Sequence, residues 1–174
     1  MTEGAIHTGS LDREASVLNR MASAVEDAES SHGTDPLMWR SDLSGPQGPM
    51  QISAAAAEDV GGGDRFDESM NRALGRAYLD QMHRRYGSWP DAVAAYNWGP
   101  GHMDAWISGG RPLDKFPQAV ERYQIRVLVG SLRMSRRGFL WLRPRRPAPD
   151  PYNGRAAVER LYPEIIRTSG LAVR

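Results

Sequence analysis

The chain has 174 residues, of which 40% are hydrophobic and 25% charged, a composition typical of a globular domain with a real core. It contains no cysteine, which excludes disulfides and thiol chemistry. Its four histidines show no metal-ligand spacing, so neither a metal nor another cofactor is expected. No apolar run approaches the roughly 20 residues of a membrane span. Residues 1–10 lack the basic and apolar regions of a secretory signal peptide.

The net charge of +1 conceals an uneven distribution along the chain. Residues 1–110 hold 8 basic and 16 acidic side chains, whereas residues 111–174 hold 14 and 5. All of the basic residues except Lys115 are arginines. A basic C-terminal region can bind an anionic partner such as nucleic acid, an acidic polymer or anionic lipid. The alternative is that it complements the acidic half of the same chain or forms a solvated face.

Residues 10–30 predict an amphipathic helix, because apolar side chains recur there at helical spacing. Ser10 is expected to cap its start. At 100° per residue, Glu29 falls on the same stripe as Leu18 and Val25. Desolvation raises the pKa of a carboxyl group on the core side, so that it can hold a proton near neutral pH and donate it. The alternative is a frayed helix end at which Glu29 is solvated.

Further helices are expected over about residues 53–58, from about residue 65 or 68 to about residue 86, and over about residues 91–96, 102–107, 117–134 and 154–168. Asp64 or Asp67 can cap the second of these, which carries Met70 and Leu74 at helical spacing. Ser88, followed by an early proline, is a strong start for the third. There is no internal repeat and no convincing strand pattern, so the predicted fold class is mainly α.

The composition changes at residue 135, where arginine, proline and aromatic residues become frequent. The expected organisation is therefore a compact multi-helix domain over residues 1–134. Residues 135–174 are expected to form a basic, partly helical and partly irregular C-terminal extension, packed on that domain or trailing from it.

Three short segments stand out together. They are Glu29-Ser30-Ser31 at the end of the first helix, SGPQGPMQI at residues 44–52, and AAYNWGPG at residues 94–101. Taken singly, each segment is a weak signal, because Glu-Ser pairs, glycine turns and capped helix ends are common. Their joint occurrence in this order is far less expected by chance.

The three segments resemble the soluble lytic transglycosylase family over about residues 10–110. In that family a Glu-Ser pair ends a helix, a Gly-x-x-Gly-x-Met-Gln-Ile segment follows, and Ala-Tyr-Asn-x-Gly-Pro-Gly comes later. The resemblance implies a goose-type-lysozyme-like α fold for the multi-helix domain. The chain departs from the pattern at Pro49, Ala54 and Trp98, and its stretch between Glu29 and Gln51 is longer than usual.

The resemblance implies that Glu29 is the catalytic acid and base. It places the substrate-binding residues on the matched segments: Ser30, Ser44, Met50, Gln51, Tyr96 and Asn97. For Tyr96 the alternative is a core tyrosine, and for Gln51 it is a capping or loop role. For Met50 the alternative is packing under the site, and for Asn97 it is binding the main chain of the loop. Gly99 and Gly101 are expected to allow close chain approach or positive φ.

The implied activity is that of a peptidoglycan lytic transglycosylase, which cleaves the β-1,4 bond between N-acetylmuramic acid and N-acetylglucosamine. One Glu acts first as acid and then as base, and the product carries a 1,6-anhydro ring. Glycoside hydrolases usually add a second carboxylate, for which Asp35 and Asp42 are loop candidates whose commoner role is turn-making. The alternatives are a hydrolytic muramidase on the same fold and a non-catalytic glycan-binding or assembly protein acting through its basic tail.

The implied partners are peptidoglycan glycan strands, together with components of a secretion system or a phage. Because peptidoglycan lies outside the inner membrane, the protein is expected to act in the periplasm or cell envelope. The route by which it gets there, and the oligomeric state, stay open.

Overall fold

A computed structural model describes the backbone of residues 3–137 and the side chains of residues 12–134. The described backbone forms six α-helices, and it contains no strand beyond one isolated bridge between Gln47 and Ile52. The predicted mainly α class is therefore confirmed. The C-terminal helix expected at residues 154–168 and most of the predicted basic extension lie outside the described residues.

The six helices follow one another through short connections. They are α1 (Glu3–Ser30), α2 (Ala54–Asp59), α3 (Glu68–Tyr86), α4 (Trp89–Trp98), α5 (Pro100–Ser108) and α6 (Gln118–Arg137). Two single 3₁₀ turns, Pro36–Met38 and Leu113–Lys115, lie in the longer connections. Within the described part of the chain, no helix is both long enough and apolar enough to cross a membrane.

The chain divides between Asp80 and Gln81, inside α3, into two compact units. The first unit contains α1, α2 and the first part of α3. Its core includes Val25 from α1, Ile52 from the loop before α2, and Leu79 from α3, each at most 1% exposed. The second unit contains the end of α3 and the helices α4 to α6, and α4 packs against both α5 and α6.

Capping side chains that the sequence already indicates start three of the helices. Ser53 accepts a hydrogen bond from the Ala56 amide and caps α2, and Ser88 caps α4 through the Asp91 amide. Asp67, one of the two candidates for α3, accepts the Met70 amide at 2.8 Å. These side-chain oxygens satisfy amides that have no partner within the first turn of a helix.

One detail of the helix predictions is wrong. The first helix begins at Glu3, so Ser10 lies inside α1 and does not cap it. On α3, Met70 is 42% exposed, whereas Leu74 is 4% exposed. The buried stripe of α3 starts at Leu74 and continues through Tyr78 and Leu79. The first turn of α3, which contains Met70, therefore lies outside the buried stripe.

Candidate active site

Glu29 is the penultimate residue of α1, and its side chain is half-buried. Leu18 and Val25, which share its predicted stripe, are 7% and 0% exposed. One turn earlier, Glu26 accepts a hydrogen bond from the Arg72 Nε at 2.7 Å. Arg72 also pairs with Glu68, and the two ion pairs raise the pKa of Arg72. The pair with Glu26 connects the end of α1 to α3. Glu29 therefore stands at a partly desolvated helix end that is held in place.

Ser30 connects the end of α1 to the loop before α2. The residue is 1% exposed, and its hydroxyl donates to the Pro49 carbonyl at 2.8 Å, with the Glu26 carbonyl at 3.2 Å. The same oxygen accepts the Gly33 amide at 2.8 Å. These contacts fix the residue after Glu29 to the segment that contains Met50 and Gln51. A contact between Ser30 and substrate stays a prediction, and the structure uses its hydroxyl internally.

Residues 45–52, here called the Gln47–Ile52 loop after its bridging pair, form a tight turn without helix or ladder. Gln47 and Ile52 exchange two main-chain hydrogen bonds of 3.1 and 2.9 Å, which close the turn. Gly48 has φ +74° and Gln51 has φ +47°, both in the left-handed region. Met50 is 2% exposed and packs beneath the turn. For Gln51, a residue with a Cβ, this conformation is strained and must be held by its surroundings.

Asn71 of α3 supplies much of that hold. It is completely buried, and its Oδ1 accepts the Met50 amide at 2.9 Å. Its Nδ2 donates to the carbonyls of Gln47 at 2.7 Å and Arg65 at 2.8 Å. A Cβ on Gly48 would lie 2.5 Å from this Nδ2, so the asparagine can approach only because residue 48 is glycine.

Arg65 braces the loop from its other side. The residue is 9% exposed, and its guanidinium donates to the main-chain carbonyls of Leu43, Gly45 and Ile52. A buried guanidinium is tolerated when its N–H groups meet acceptors. Here those acceptors are main-chain carbonyls of the loop.

The Gln51 side chain is also bound to the protein. Its Nε2 donates to the carbonyls of Met38 at 2.7 Å and Gly48 at 2.8 Å. Its Oε1 accepts the Nε of Arg40 at 3.0 Å. The loop role left open for Gln51 is thus present in the structure, and its contact with substrate stays a prediction.

The remaining polar residues of the loop make turns. Asp42 Oδ1 accepts the Ser44 hydroxyl at 2.6 Å and the Ser44 amide at 2.9 Å. The hydrogen bond from the Ser44 hydroxyl is the main cause that lowers the pKa of Asp42. Asp35 accepts the Leu37 amide at 2.9 Å. The turn-making role expected for both aspartates is confirmed, and Ser44 is exposed beside Asp42.

Tyr96 and Asn97 lie in the second unit, in the last turn of α4. Tyr96 is half-buried and Asn97 is exposed. The helix ends at Gly99, whose φ of +90° confirms the expected left-handed position. Gly101 does not have positive φ, and a Cβ there would meet no atom within 4 Å. The expectation of close chain approach at Gly101 is therefore wrong.

The tryptophans of the second unit pack within it. Trp98 stacks on His102 at 5.6 Å between ring centroids and meets Phe116 edge-on. Trp106 packs on Phe116 and donates its indole N–H to the Pro112 carbonyl at 2.9 Å. In the first unit, Trp39 is 36% exposed. Among the described residues, no cluster of His, Cys, Asp or Glu could hold a metal ion.

The structure joins Ser30 to the segment that contains Met50 and Gln51, and sequence reasoning missed the residues that hold that segment in place. Asn71, Arg65 and Arg40 lie outside the three segments, and Gln47 occupies an unspecified position of the second segment. A signal existed for Asn71, which is a short polar residue on the otherwise apolar side of α3, one turn before Leu74. Nothing local marks Arg65 as buried.

Comparisons with known proteins identify the family of the domain. The family model described as "Transglycosylase SLT domain" matches residues 12–117, more than half of the chain. A curated relative, "Membrane-bound lytic murein transglycosylase F" of Desulfosudis oleivorans, is 31% identical over 106 residues. The match covers 49% of this chain and 23% of that protein, so the chain spans about a quarter of the relative's length. No solved structure gives a significant match.

The family match includes Glu29, the Gln47–Ile52 loop and residues 94–101. It also contains α2 to α5 in full and most of α1. The resemblance drawn from the three segments is thus confirmed, together with the lysozyme-like mainly α fold class that it implied. This chain belongs to the SLT transglycosylase domain family.

Proposed function

We propose that the protein is a peptidoglycan lytic transglycosylase in which Glu29 acts first as general acid and then as general base. The bond cleaved is the β-1,4 link from N-acetylmuramic acid to N-acetylglucosamine. Family membership supports the class of reaction. The observation that carries the residue assignment is the position of Glu29, half-buried at the end of α1 and joined through Ser30 to the Gln47–Ile52 loop.

The chemistry requires two proton transfers at one carboxyl group. Glu29 donates its proton to the glycosidic oxygen, and the bond from C1 of the muramic residue to that oxygen breaks. The resulting carboxylate then takes the proton of the muramic C6 hydroxyl as O6 bonds to C1, which closes a 1,6-anhydro ring. No water is consumed, and Glu29 ends as it began, protonated.

Two features of its position support Glu29 as the acid. It is half-buried, and it lies in the last turn of α1, directly before the serine that binds the Gln47–Ile52 loop. Asp35 and Asp42, the loop candidates for a second carboxylate, are engaged in local turns. A one-carboxylate mechanism fits this arrangement better than a hydrolytic one, which needs a second carboxylate to activate water.

The remaining assignments belong to the same proposal. Tyr96 orients the acid or contacts the sugar, and Asn97 and Ser44 lie on segments that border the glycan. Ser30 acts by fixing the position of Glu29, and Met50 acts by packing under the loop. Action on peptidoglycan places the working protein in the cell envelope. The basic region at residues 135–174 is proposed to bind an anionic partner, and a secretion apparatus or phage particle remains the proposed wider context.

The deciding experiment is Glu29→Gln, assayed on purified peptidoglycan with mass spectrometry of the released fragments. General acid–base catalysis contributes about 10²- to 10⁴-fold, so the variant is expected to lose at least about 100-fold in rate. The matched control is Asp27→Asn, which removes a carboxylate from the same helix end, where its side chain is 45% exposed. This control is expected to keep nearly the parent's rate.

The fragments test the mechanism separately. The parent is expected to release products ending in 1,6-anhydro-N-acetylmuramic acid. Reducing ends in their place would identify a hydrolytic muramidase. A Glu29→Gln variant that folds normally and clears cell walls as fast as the parent would show that the acid has been misassigned. Absence of cleavage by the parent itself would favour a non-catalytic glycan-binding protein.

A further inference from the structure

The Gln51 amide is already occupied by the protein. Both of its N–H hydrogens have main-chain acceptors, the carbonyls of Met38 and Gly48. Its oxygen accepts from Arg40. The polar group that continues outward from Gln51 is therefore the guanidinium of Arg40, which is exposed.

Arg40 is held more firmly than an ordinary surface arginine. Its amide donates to Gln47 Oε1 at 2.9 Å, and the Nε2 of the same side chain donates to the Arg40 carbonyl at 3.2 Å. Gln47 is 1% exposed, so the side chain that makes these two hydrogen bonds is buried. The Nε of Arg40 is fixed separately on Gln51 at 3.0 Å. Main chain and side chain are both anchored, which reduces the entropy lost when the guanidinium binds a ligand.

The terminal Nη groups of Arg40 carry four N–H donors. Within residues 12–134, none of these donors has a protein acceptor, and no carboxylate forms an ion pair with Arg40. A guanidinium whose Nη donors are available matches a carboxylate, whose two oxygens accept in parallel. Since the anchoring contacts use only Nε and the main chain, the arginine can bind such a group without losing them.

We propose that Arg40 is a specificity residue that binds a carboxylate of the peptidoglycan strand, with Gln51 and Gln47 as its positioning residues. This inference rests on the proposed function for its choice of substrate. Peptidoglycan offers two sources of the same chemistry. One is the lactyl carboxylate of a muramic residue without its peptide, and the other is a free carboxylate of the stem peptide.

Binding separates the two sources without depending on turnover. Three glycans are titrated against the Glu29→Gln protein, with and without Arg40→Gln. They are strands that bear stem peptides, strands stripped by an amidase so that the lactyl carboxylate is free, and a neutral chito-oligosaccharide. Charge-assisted hydrogen bonds support an expected loss of about 10- to 100-fold in affinity for one carboxylate-bearing glycan. Affinity for the neutral glycan is expected to stay unchanged.

A matched control is available in the same unit. Arg76 is exposed, and its Nε donates to Asn19 Oδ1 at 3.0 Å, the same contact that Arg40 makes with Gln51. Arg76→Gln is expected to leave all three affinities unchanged. Arg40→Lys keeps the charge but loses the two-pronged geometry, and it should recover only part of the affinity.

The outcomes are distinct. A selective loss on peptide-bearing strands assigns the stem carboxylate, and a selective loss on stripped strands assigns the lactyl carboxylate. An equal loss on all three glycans, no loss on any, or no measurable binding by the Glu29→Gln protein overturns the proposal. In the protein that retains Glu29, Arg40→Gln is expected to raise KM and to leave kcat nearly unchanged. If the parent protein does not cleave peptidoglycan but the selective loss is seen, the catalytic proposal fails and the Arg40 site stands.

Discussion

The two segments that carry most of the family motif are held in place by different forces. The Gln47–Ile52 loop has no regular secondary structure, and buried side chains bind its main-chain groups: Asn71, Arg65 and Ser30. The segment at residues 94–101 ends one helix and begins another. Its helix, α4, is held by apolar packing, because Ala92, Val93, Ala94 and Ala95 are all completely buried.

The difference shows what each kind of segment requires. A helix satisfies its own main-chain hydrogen bonds, so small apolar side chains suffice to pack it closely against α5 and α6. A buried loop cannot do this, and every one of its amides and carbonyls needs a partner from elsewhere. The loop should therefore be sensitive to the loss of one polar partner, and the helix to changes of volume.

Asn71→Ala tests this difference with the largest expected effect. The substitution removes the side-chain partner of the Met50 amide and the Arg65 carbonyl in a buried place, and the Gln47 carbonyl keeps only the Ile52 amide. A buried polar group left unsatisfied costs about 1–3 kcal/mol, so we expect a loss of about 3 kcal/mol or more in the free energy of unfolding. Urea denaturation measures it.

The control is Asn19→Ala, which removes an exposed asparagine that accepts one hydrogen bond from Arg76. It should change stability by less than about 0.5 kcal/mol. If Asn71→Ala costs no more than the control, the loop does not depend on the asparagine, and the difference between the two segments disappears.

The same difference explains what could be predicted from the sequence. α4 was predicted because its capping serine, early proline and alanine run all lie within about ten residues of one another. The motif residues of the loop were also located, but its conformation was not. Asn71 lies 21 residues beyond Met50, and Arg65 lies 20 beyond Gly45, so no local pattern relates them.

The start of α1 escaped prediction for a different reason. Its first turns lack a clear apolar stripe, so Ser10 appeared to be the first boundary signal, although the helix begins at Glu3. Periodicity identifies helices by the face that they bury. The position of Glu29 on that face could be calculated, but its catalytic assignment came from the resemblance of the three segments to a known family. The network around Gln51 and Arg40 was not accessible, because it depends on main-chain geometry.

Paired glycine substitutions give an intermediate effect with opposite signs. Gly75 lies in α3, and a Cβ there would lie 2.4 Å from the Met50 Cβ, beneath the loop. Overpacking costs about 1–3 kcal/mol, which exceeds the gain of about 1 kcal/mol from replacing a helical glycine by alanine. Gly75→Ala is therefore expected to destabilise the protein by about 1 kcal/mol.

Gly101→Ala is the counterpart in the second unit. Gly101 lies in the first turn of α5, and its added Cβ would meet open space. This substitution should stabilise the protein by about 0.5 kcal/mol through helix propensity. Thermal melting of both variants gives the comparison. If Gly75→Ala stabilises the protein as much as Gly101→Ala does, α3 does not pack closely against Met50.

The smallest effect concerns the capping side chains of α3 and α4. Asp67, which caps α3, titrates, whereas Ser88, which caps α4, does not. Asp67 accepts the Met70 amide and the Ser69 hydroxyl, and these two hydrogen bonds lower its pKa, the amide most. Because the carboxyl has a lower pKa folded than unfolded, its contribution is complete above the unfolded pKa, about 4. That contribution is lost as the pH falls through the folded pKa. Ser88, which caps α4 with a hydroxyl, has no such dependence.

Asp67→Asn isolates the titrating part, because asparagine caps a helix as well as aspartate but carries no charge. The urea midpoints of parent and variant are measured from pH 7 down to pH 3. The parent's advantage in midpoint should be constant between pH 7 and pH 5 and should shrink as the pH falls below about 4. A Ser88→Asn variant should differ from the parent by the same amount at every pH. An advantage for Asp67 that grows on acidification would reverse the sign of the linkage, and the charged form of Asp67 would then not be the one that caps α3.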